Sequence, residues 1–144
     1  MQLRIVGGIL ALVGAAVLGM GIWGIAAANS MAQRLSWVAA QNGRGFDAEA
    51  WVLHWRISGG IVALIGALVF AGGTATLLKK VWGLIGVSLA GVTAATYPWV
   101  LQISGYARYS FEAAHLLETL IYIAVASAAM LTYALLRKRA IGTN

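Results

Sequence analysis

Four long apolar runs, separated by short polar segments, make up most of this chain. An α-helix needs about 20 mostly apolar residues to cross the hydrocarbon of a bilayer, and each run is long enough to do so. The pattern therefore predicts an all-α fold, an integral membrane four-helix bundle that forms a single domain over residues 1–144. The runs are Ile5–Ala28, Trp51–Leu78, Val81–Leu101 and Ala113–Leu136, and with their flanks they predict helices at about 5–28, 51–78, 81–101 and 108–137.

The one sizeable hydrophilic segment lies between the first two runs, over residues 29–50, and we expect an outer loop there. Met31, Leu35 and Val38 recur within it at i, i+4 and i+7, which predicts a short amphipathic helix lying in the membrane interface. Asn42-Gly43 then indicates a turn. The segment serves either as a connector or as a lid over a site at the outer face.

The basic residues predict the orientation, because Lys and Arg in short loops remain on the cytoplasmic side. Six of them flank the runs at one end: Arg4, Lys79, Lys80, Arg137, Lys138 and Arg139. We therefore expect a multi-pass protein of the cell membrane with both termini in the cytoplasm. All the acids lie toward the opposite, outer side. The net charge of +6 largely reflects this topology, so we expect membrane lipid and no nucleic acid as a partner.

Small residues at four-residue intervals predict the faces through which the helices pack, because they let membrane helices approach closely. Three such stripes occur, and we interpret them as contact faces rather than ligand sites. They are Gly7, Ala11, Ala15 and Gly19; Gly59, Ala63, Ala67 and Ala71; and Gly83, Val87, Gly91 and Ala95. The chain contains no cysteine, which excludes thiol–disulfide chemistry as its function.

Two histidines, the only ones in the chain, lie near the start of the second and fourth runs. An ionisable residue inside a membrane span costs free energy, so it is a candidate functional group by default. At a rise of about 1.5 Å per residue, His54 is roughly 37 Å from Lys79 along its helix, and His115 is roughly 33 Å from Arg137. Both imidazoles are therefore expected at nearly one depth near the outer face. Such a pair is a natural set of axial ligands for a haem iron.

Other interpretations of the histidines remain open. A zinc or dinuclear site needs more ligands, and the four carboxylates are not at metal-ligand spacing with both histidines. Glu118 lies three residues deeper than His115, and an ion pair with Arg56 would explain both charges structurally. Histidines that are satisfied within the core and have no ligand role are the third interpretation.

Two stretches around these histidines resemble the haem A synthase family. The first is His54-Trp55-Arg56-Ile57-Ser58-Gly59-Gly60-Ile61-Val62-Ala63-Leu64 and the second is Glu112-Ala113-Ala114-His115-Leu116-Leu117, with a glycine-rich third helix between them. Members of that family typically have eight helices in two similar four-helix halves, each with one histidine on its second helix and one on its fourth. This chain resembles a single half, and the resemblance covers nearly its whole length.

The resemblance implies an oxidoreductase that converts haem O to haem A by oxidising a porphyrin methyl group to a formyl group, for terminal oxidase biogenesis. It implies that His54 and His115 are axial ligands to the iron of haem b, haem O or haem A. Family members often carry a glutamate one turn before the second-helix histidine and an arginine directly after it. Here Glu49 lies five residues before His54 and Arg56 two after it, so Glu49 and Glu112 are both candidates for the catalytic acid.

Arginines at the outer side are candidates for binding the haem propionates, since a guanidinium recognises a carboxylate in a bidentate manner. They are Arg34, Arg44, Arg56 and Arg108. Because the family uses two bundles, we expect this half-length chain to form a homodimer of parallel protomers through one of its small-residue stripes. Haem O synthase and terminal oxidase assembly are further candidate partners.

Two other functions fit the same pattern. A b-type cytochrome would use the haem between His54 and His115 only to carry electrons. A structural subunit of a respiratory complex would bind no cofactor. A four-helix exporter is disfavoured, because the first and third runs have no ionisable residue in their interiors. The pigment extracted from the purified protein distinguishes these functions.

Overall fold

Four long α-helices account for the regular structure of residues 2–103 and 113–141, the part of the chain that the computed structural model describes. Within these ranges there is no β-strand, and each helix contains a stretch long and apolar enough to cross a membrane. The predictions of an all-α fold and of four candidate spans are therefore confirmed. The helices are α1 (Gln2–Gln41), α2 (Ala48–Leu77), α3 (Gly83–Ile103) and α4 (Ala113–Ile141).

Helix α1 differs from the prediction, because it does not stop at the end of its apolar run. It continues to Gln41, so residues 29–41 are helical and are not part of an outer loop with a separate interfacial helix. No glycine or proline lies between Gly24 and Gly43, and alanine is frequent there, so nothing in the sequence breaks the helix. At about 1.5 Å per residue α1 is about 60 Å long, twice the bilayer hydrocarbon thickness of about 30 Å.

The predicted turn at Asn42-Gly43 is confirmed and ends α1. Gly43 has a positive φ of 63°, and the backbone N–H of Arg44 donates to the carbonyl of Ala39 at 2.9 Å. This is the Schellman arrangement, in which a residue in the left-handed region lets the chain leave a helix. We call this end of the molecule, which is opposite the Lys79–Lys80 pair, the outer end.

The helices pack in chain order, α1 on α2, α2 on α3 and α3 on α4. Among the residues that the structure describes, α4 packs on neither α1 nor α2, so two antiparallel hairpins are joined through α2 and α3 without closing into a ring. The α2–α3 contact includes Gly72 and Gly83, close to the turn at residues 78–82. Helix α3 is therefore the common neighbour of α2 and α4.

Helices α1 and α2 are in backbone contact along a seam of glycines. A Cβ atom added at Gly14 would meet the backbone of Phe70, and one added at Gly66 would meet the backbone of Leu18. The two helices therefore lie closer together than any larger residue at these positions permits. The glycine seam consists of Gly7, Gly14 and Gly21 in α1 and Gly59, Gly66 and Gly73 in α2, at seven-residue intervals.

The predicted four-residue stripe of α1 is only partly correct. Gly7 and Ala11 lie against α2, whereas nothing lies within 4 Å of a Cβ atom built at Gly19. A seven-residue repeat keeps one edge of a helix turned toward a partner that winds round it in the left-handed sense, and a four-residue repeat drifts away from that edge. The third predicted stripe is buried throughout, which confirms it as a packing face: Gly83, Val87, Gly91 and Ala95.

Candidate functional site

By helical position, His54 continues the row of α2 residues that packs against α3. It precedes Leu68 by 14 residues and Gly72 by 18, which are about four and five helical turns. Leu68 contacts Gly86 of α3, and Gly72 contacts Gly83. The side chain of His54 is half-buried, and its Nδ1 atom is shielded from solvent. His54 therefore belongs to the interior side of α2.

His115 occupies the first turn of α4. It shares one face of the helix with the residues at i+4, i+7 and i+11, which are Thr119, Tyr122 and Ala126. Tyr122 and Ala126 lie against Gly91, so this row follows the contact with α3. The side chain of His115 lies outside the described residues, and its direction stays a prediction.

The helix contacts place the two histidine positions at one level. Helices α2 and α3 touch at Gly72 and Gly83, and α3 and α4 touch further out at Gly91 and Ala126. At about 1.5 Å per residue, His54 lies about 27 Å outward of Gly72 along α2. The path to His115 runs from Gly83 to Gly91 along α3 and then from Ala126 along α4, and it adds up to about 29 Å. The difference is less than half of the helical pitch, which is about 5.4 Å.

Polar contacts hold the row that contains His115 against α3. The Nε1–H of Trp99 donates to Oγ1 of Thr119 at 3.2 Å, four residues inward of His115. Further inward, the hydroxyl of Ser88 donates to the carbonyl of Ala126 at 3.1 Å. In the described part of the chain α2 and α4 do not touch. Helix α3 packs on both of them.

Glu49 and Arg56 lie on a different face of α2 from His54. Two residues along a helix correspond to a rotation of about 200°, so Arg56 is nearly opposite His54, whereas Glu49, seven residues earlier, shares the face of Arg56. Both line a groove of about 450 Å³ between α2 and the outer part of α1, which we call the outer groove. Its other lining residues are Asn29, Ala32, Gln33, Ser36, Ala48, Val52 and Leu53.

The structure brings Glu49 and Arg56 together with each other, but not with the predicted haem ligand. Nη2 of Arg56 donates a long hydrogen bond of 3.4 Å to Oδ1 of Asn29. The sequence analysis missed Asn29, Gln33 and Ser36 as site residues. Their spacing of i, i+4 and i+7 is a polar helical row, and it becomes visible once α1 is extended through this segment.

Two further predicted site residues, Arg108 and Glu112, lie outside the described residues, as does the side chain of Glu118. Their roles stay predictions. In the portion of the chain that is described, no three side chains of His, Asp or Glu come together as a multi-ligand metal site requires. An axial haem pair needs only two protein ligands.

Comparison of the chain with protein-family models, with curated proteins and with solved structures found no match. The described residues therefore define a class of protein, one with four helices suited to spanning a membrane. A half-buried histidine lies near the outer end of the second helix. The resemblance to the haem A synthases, which rests on the stretches around His54 and His115, stays a prediction from the sequence.

Proposed function

We propose that this protein binds a haem, which His54 of α2 and His115 of α4 would hold through the iron, and that it converts haem O to haem A. The observation that carries the proposal is the coincidence of the two positions, which lie on rows facing α3 and within about 2 Å of each other in level. Two ligands of one iron must lie at nearly the same level. We place the protein in the cell membrane with both termini in the cytoplasm.

The residues present fit a haem. Imidazole is a common axial ligand, and His54 offers a half-buried ring within a largely apolar helix. When bound, the haem would supply the iron and the methyl group; oxidation of this methyl to a formyl group removes four electrons and adds one oxygen atom, so it requires an external electron acceptor and an oxygen source, water or O2. The part of the protein is to ligate the iron, to orient the porphyrin and to keep water away from it.

An aromatic cluster covers the outer end of α2 and supports this exclusion of water. The rings of Phe46 and Trp51 have centroids 6.3 Å apart, and those of Trp51 and Trp55 are 5.3 Å apart. The ring of Trp55 also lies near Gly24 of α1. Because Trp55 directly follows His54, we expect the cluster to limit water entry beside the ligand.

We assign the acid at the reacting edge to Glu112, because it precedes His115 by only three residues in the sequence. Glu49 lies across α2 from His54 and is not given that role. For the same reason we assign the haem propionates to Arg108 rather than to Arg56. Glu112 would then hold or move a proton at the reacting edge, and the guanidinium of Arg108 would pair with a propionate.

The pigment of the purified protein tests the function. We expect protein produced together with a haem O synthase to show the absorption bands of a six-coordinate haem, and acid–solvent extraction followed by chromatography to yield haem A as well as haem O. Cells that contain the synthase but lack this chain should yield only haem O. A bound haem that never gains the formyl group would indicate a b-type cytochrome instead. Protein purified without haem from haem-replete cells would contradict both functions.

We also propose that two copies act together, because the four helices of the described residues supply one of the two bundles that the resemblance implies. The glycine seam is already occupied within one chain, so it is not the dimer contact. Helix α4 offers an apolar surface instead, on which Leu120, Leu131 and Leu135 are exposed. We expect native mass spectrometry from lipid to give a dimer, and an active monomer would contradict this arrangement.

A further inference from the structure

The outer groove has the chemistry of a lipid-headgroup site. Arg56 and Glu49 give it one positive and one negative charge, and Asn29, Gln33 and Ser36 add amide and hydroxyl groups. Its volume of about 450 Å³ accommodates a group of this kind. It lies on the other side of α2 from the proposed haem ligand, so it is separate from the proposed function.

The groove lies at the level of the headgroups. A hydrocarbon core of about 30 Å corresponds to about 20 helical residues. Counted outward from Leu77, at the inner end of α2, this places the outer hydrocarbon boundary near Ser58. The neighbouring Gly59 contacts Ile25, so α1 leaves the hydrocarbon at the same level. Arg56 and the α1 residues of the groove therefore lie just outside the boundary.

The two charged side chains of the outer groove, Glu49 and Arg56, lie at different distances from the hydrocarbon. Glu49 precedes Arg56 by seven residues, about 10 Å along the helix. Side chains in a helix lean toward its start, which brings the guanidinium of Arg56 closer to the level of Glu49. The hydrogen bond to Asn29 orients this guanidinium across the groove. The positive charge is thus deeper and the negative charge is further out.

A phosphoethanolamine headgroup carries its charges in the complementary order, with the phosphate next to the hydrocarbon and the ammonium outside it. We propose that the outer groove binds the headgroup of a phosphatidylethanolamine lipid. Arg56 pairs with the phosphate, to which Gln33 donates a further hydrogen bond, and Glu49 accepts from the ammonium. Leu53, at the rim of the groove and 48% exposed, lies beside the acyl chains.

The same charges select against other common headgroups. A choline headgroup has no N–H to donate to Glu49, and a glycerol headgroup carries only negative charge, which Glu49 repels. The N–H groups at the start of α2 do not provide an anion site of their own. The carboxylate of Asp47 already lies at this helix start, where it accepts from the N–H of Ala50 at 3.0 Å and would repel a second anion.

Lipid retention by the full-length protein tests the proposal. The protein is placed in nanodiscs of phosphatidylglycerol mixed with phosphatidylethanolamine or phosphatidylcholine, and the retained lipid is counted by native mass spectrometry after mild delipidation. We expect about a tenfold preference for the ethanolamine lipid over the choline lipid. Glu49→Gln should abolish this preference, and Arg56→Gln should lower the retention of both lipids about tenfold.

Arg34→Gln is the matched control, because Arg34 lies on α1 outside the outer groove, and it should change neither value. If Arg56→Gln does not fold, Arg56→Lys keeps a positive charge and should retain lipid within about threefold of the wild type. Wild-type protein without a preference, or equal competition by soluble phosphoethanolamine, would overturn the assignment. So would a haem spectrum that changes in Arg56→Gln, which would make Arg56 a propionate partner.

Discussion

Alanine in place of His54 is expected to abolish the conversion of haem O to haem A and to remove most of the bound haem. The chain has no cysteine and no histidine besides His54 and His115, so no residue of those types replaces the lost ligand. The iron that remains bound should be five-coordinate. Loss of even an outer-shell partner commonly lowers metal affinity about tenfold or more, and loss of a ligand should exceed this. The ratio of haem to protein and the absorption spectrum measure both effects.

Added imidazole provides the control for this experiment. If the alanine variant folds and lacks only its ligand, free imidazole should enter the space and restore the six-coordinate spectrum. Gly60→Ala, one and a half turns further along α2, should leave the haem unchanged, because nothing lies within 4 Å of a Cβ atom at Gly60. Full haem content and full conversion in His54→Ala would show that His54 is not a ligand.

Leucine in place of Gly66 or Gly14 is expected to prevent α1 and α2 from packing and to remove most of the folded protein. Added side-chain atoms at either position would coincide with the backbone of the partner helix, and backbone yields far less than the end of a flexible side chain. Overpacking in a core already costs about 1–3 kcal/mol when only side chains must move. The fraction of detergent-solubilised protein that elutes as one sharp peak in size-exclusion chromatography measures the loss.

Gly19→Leu is the matched control, since it adds the same side chain to the same helix at a position with nothing within 4 Å. It should yield nearly as much folded protein as the wild type. If Gly19→Leu were as damaging as Gly14→Leu, the seven-residue seam would not be the contact that holds the two helices. The four-residue stripe would then be the better description.

The number and type of the helices could be predicted from the sequence, because the length of an apolar run decides whether it can cross a bilayer. The exact face of contact could not. Gly7, Ala11 and Gly19 satisfy a four-residue pattern, but Gly14 and Gly21 satisfy a seven-residue one equally well. Only the partner helix decides between them, since the crossing sense of the pair determines which repeat stays in contact.

The depth of the candidate site residues along their helices could be predicted from the sequence, but the helix face on which each one lies could not. His54 and Arg56 are only two residues apart in the sequence, which suggests a shared site, yet about 200° of helical rotation separates them. The row formed by Asn29, Gln33 and Ser36 was hidden because the polar composition of residues 29–41 indicated a loop. Helix continuity there depends on the absence of any breaker, which is a weaker signal than polarity.

Helix α1 runs without a break from Gln2 to Gln41, so a change in its direction near the middle moves its outer end. The glycine seam holds the inner part of α1 against α2. The part of α1 from Asn29 to Ser36 forms one wall of the outer groove. The part of α1 beyond Gly21, the last glycine of the seam on this helix, is about 30 Å long, so a bend of about 10° there moves the far tip by about 5 Å. Small changes in bilayer thickness, which alter helix tilt, would thereby be converted into opening or closing of the groove. Spin labels at Gln41 and Glu49 would report that movement as a change in their separation.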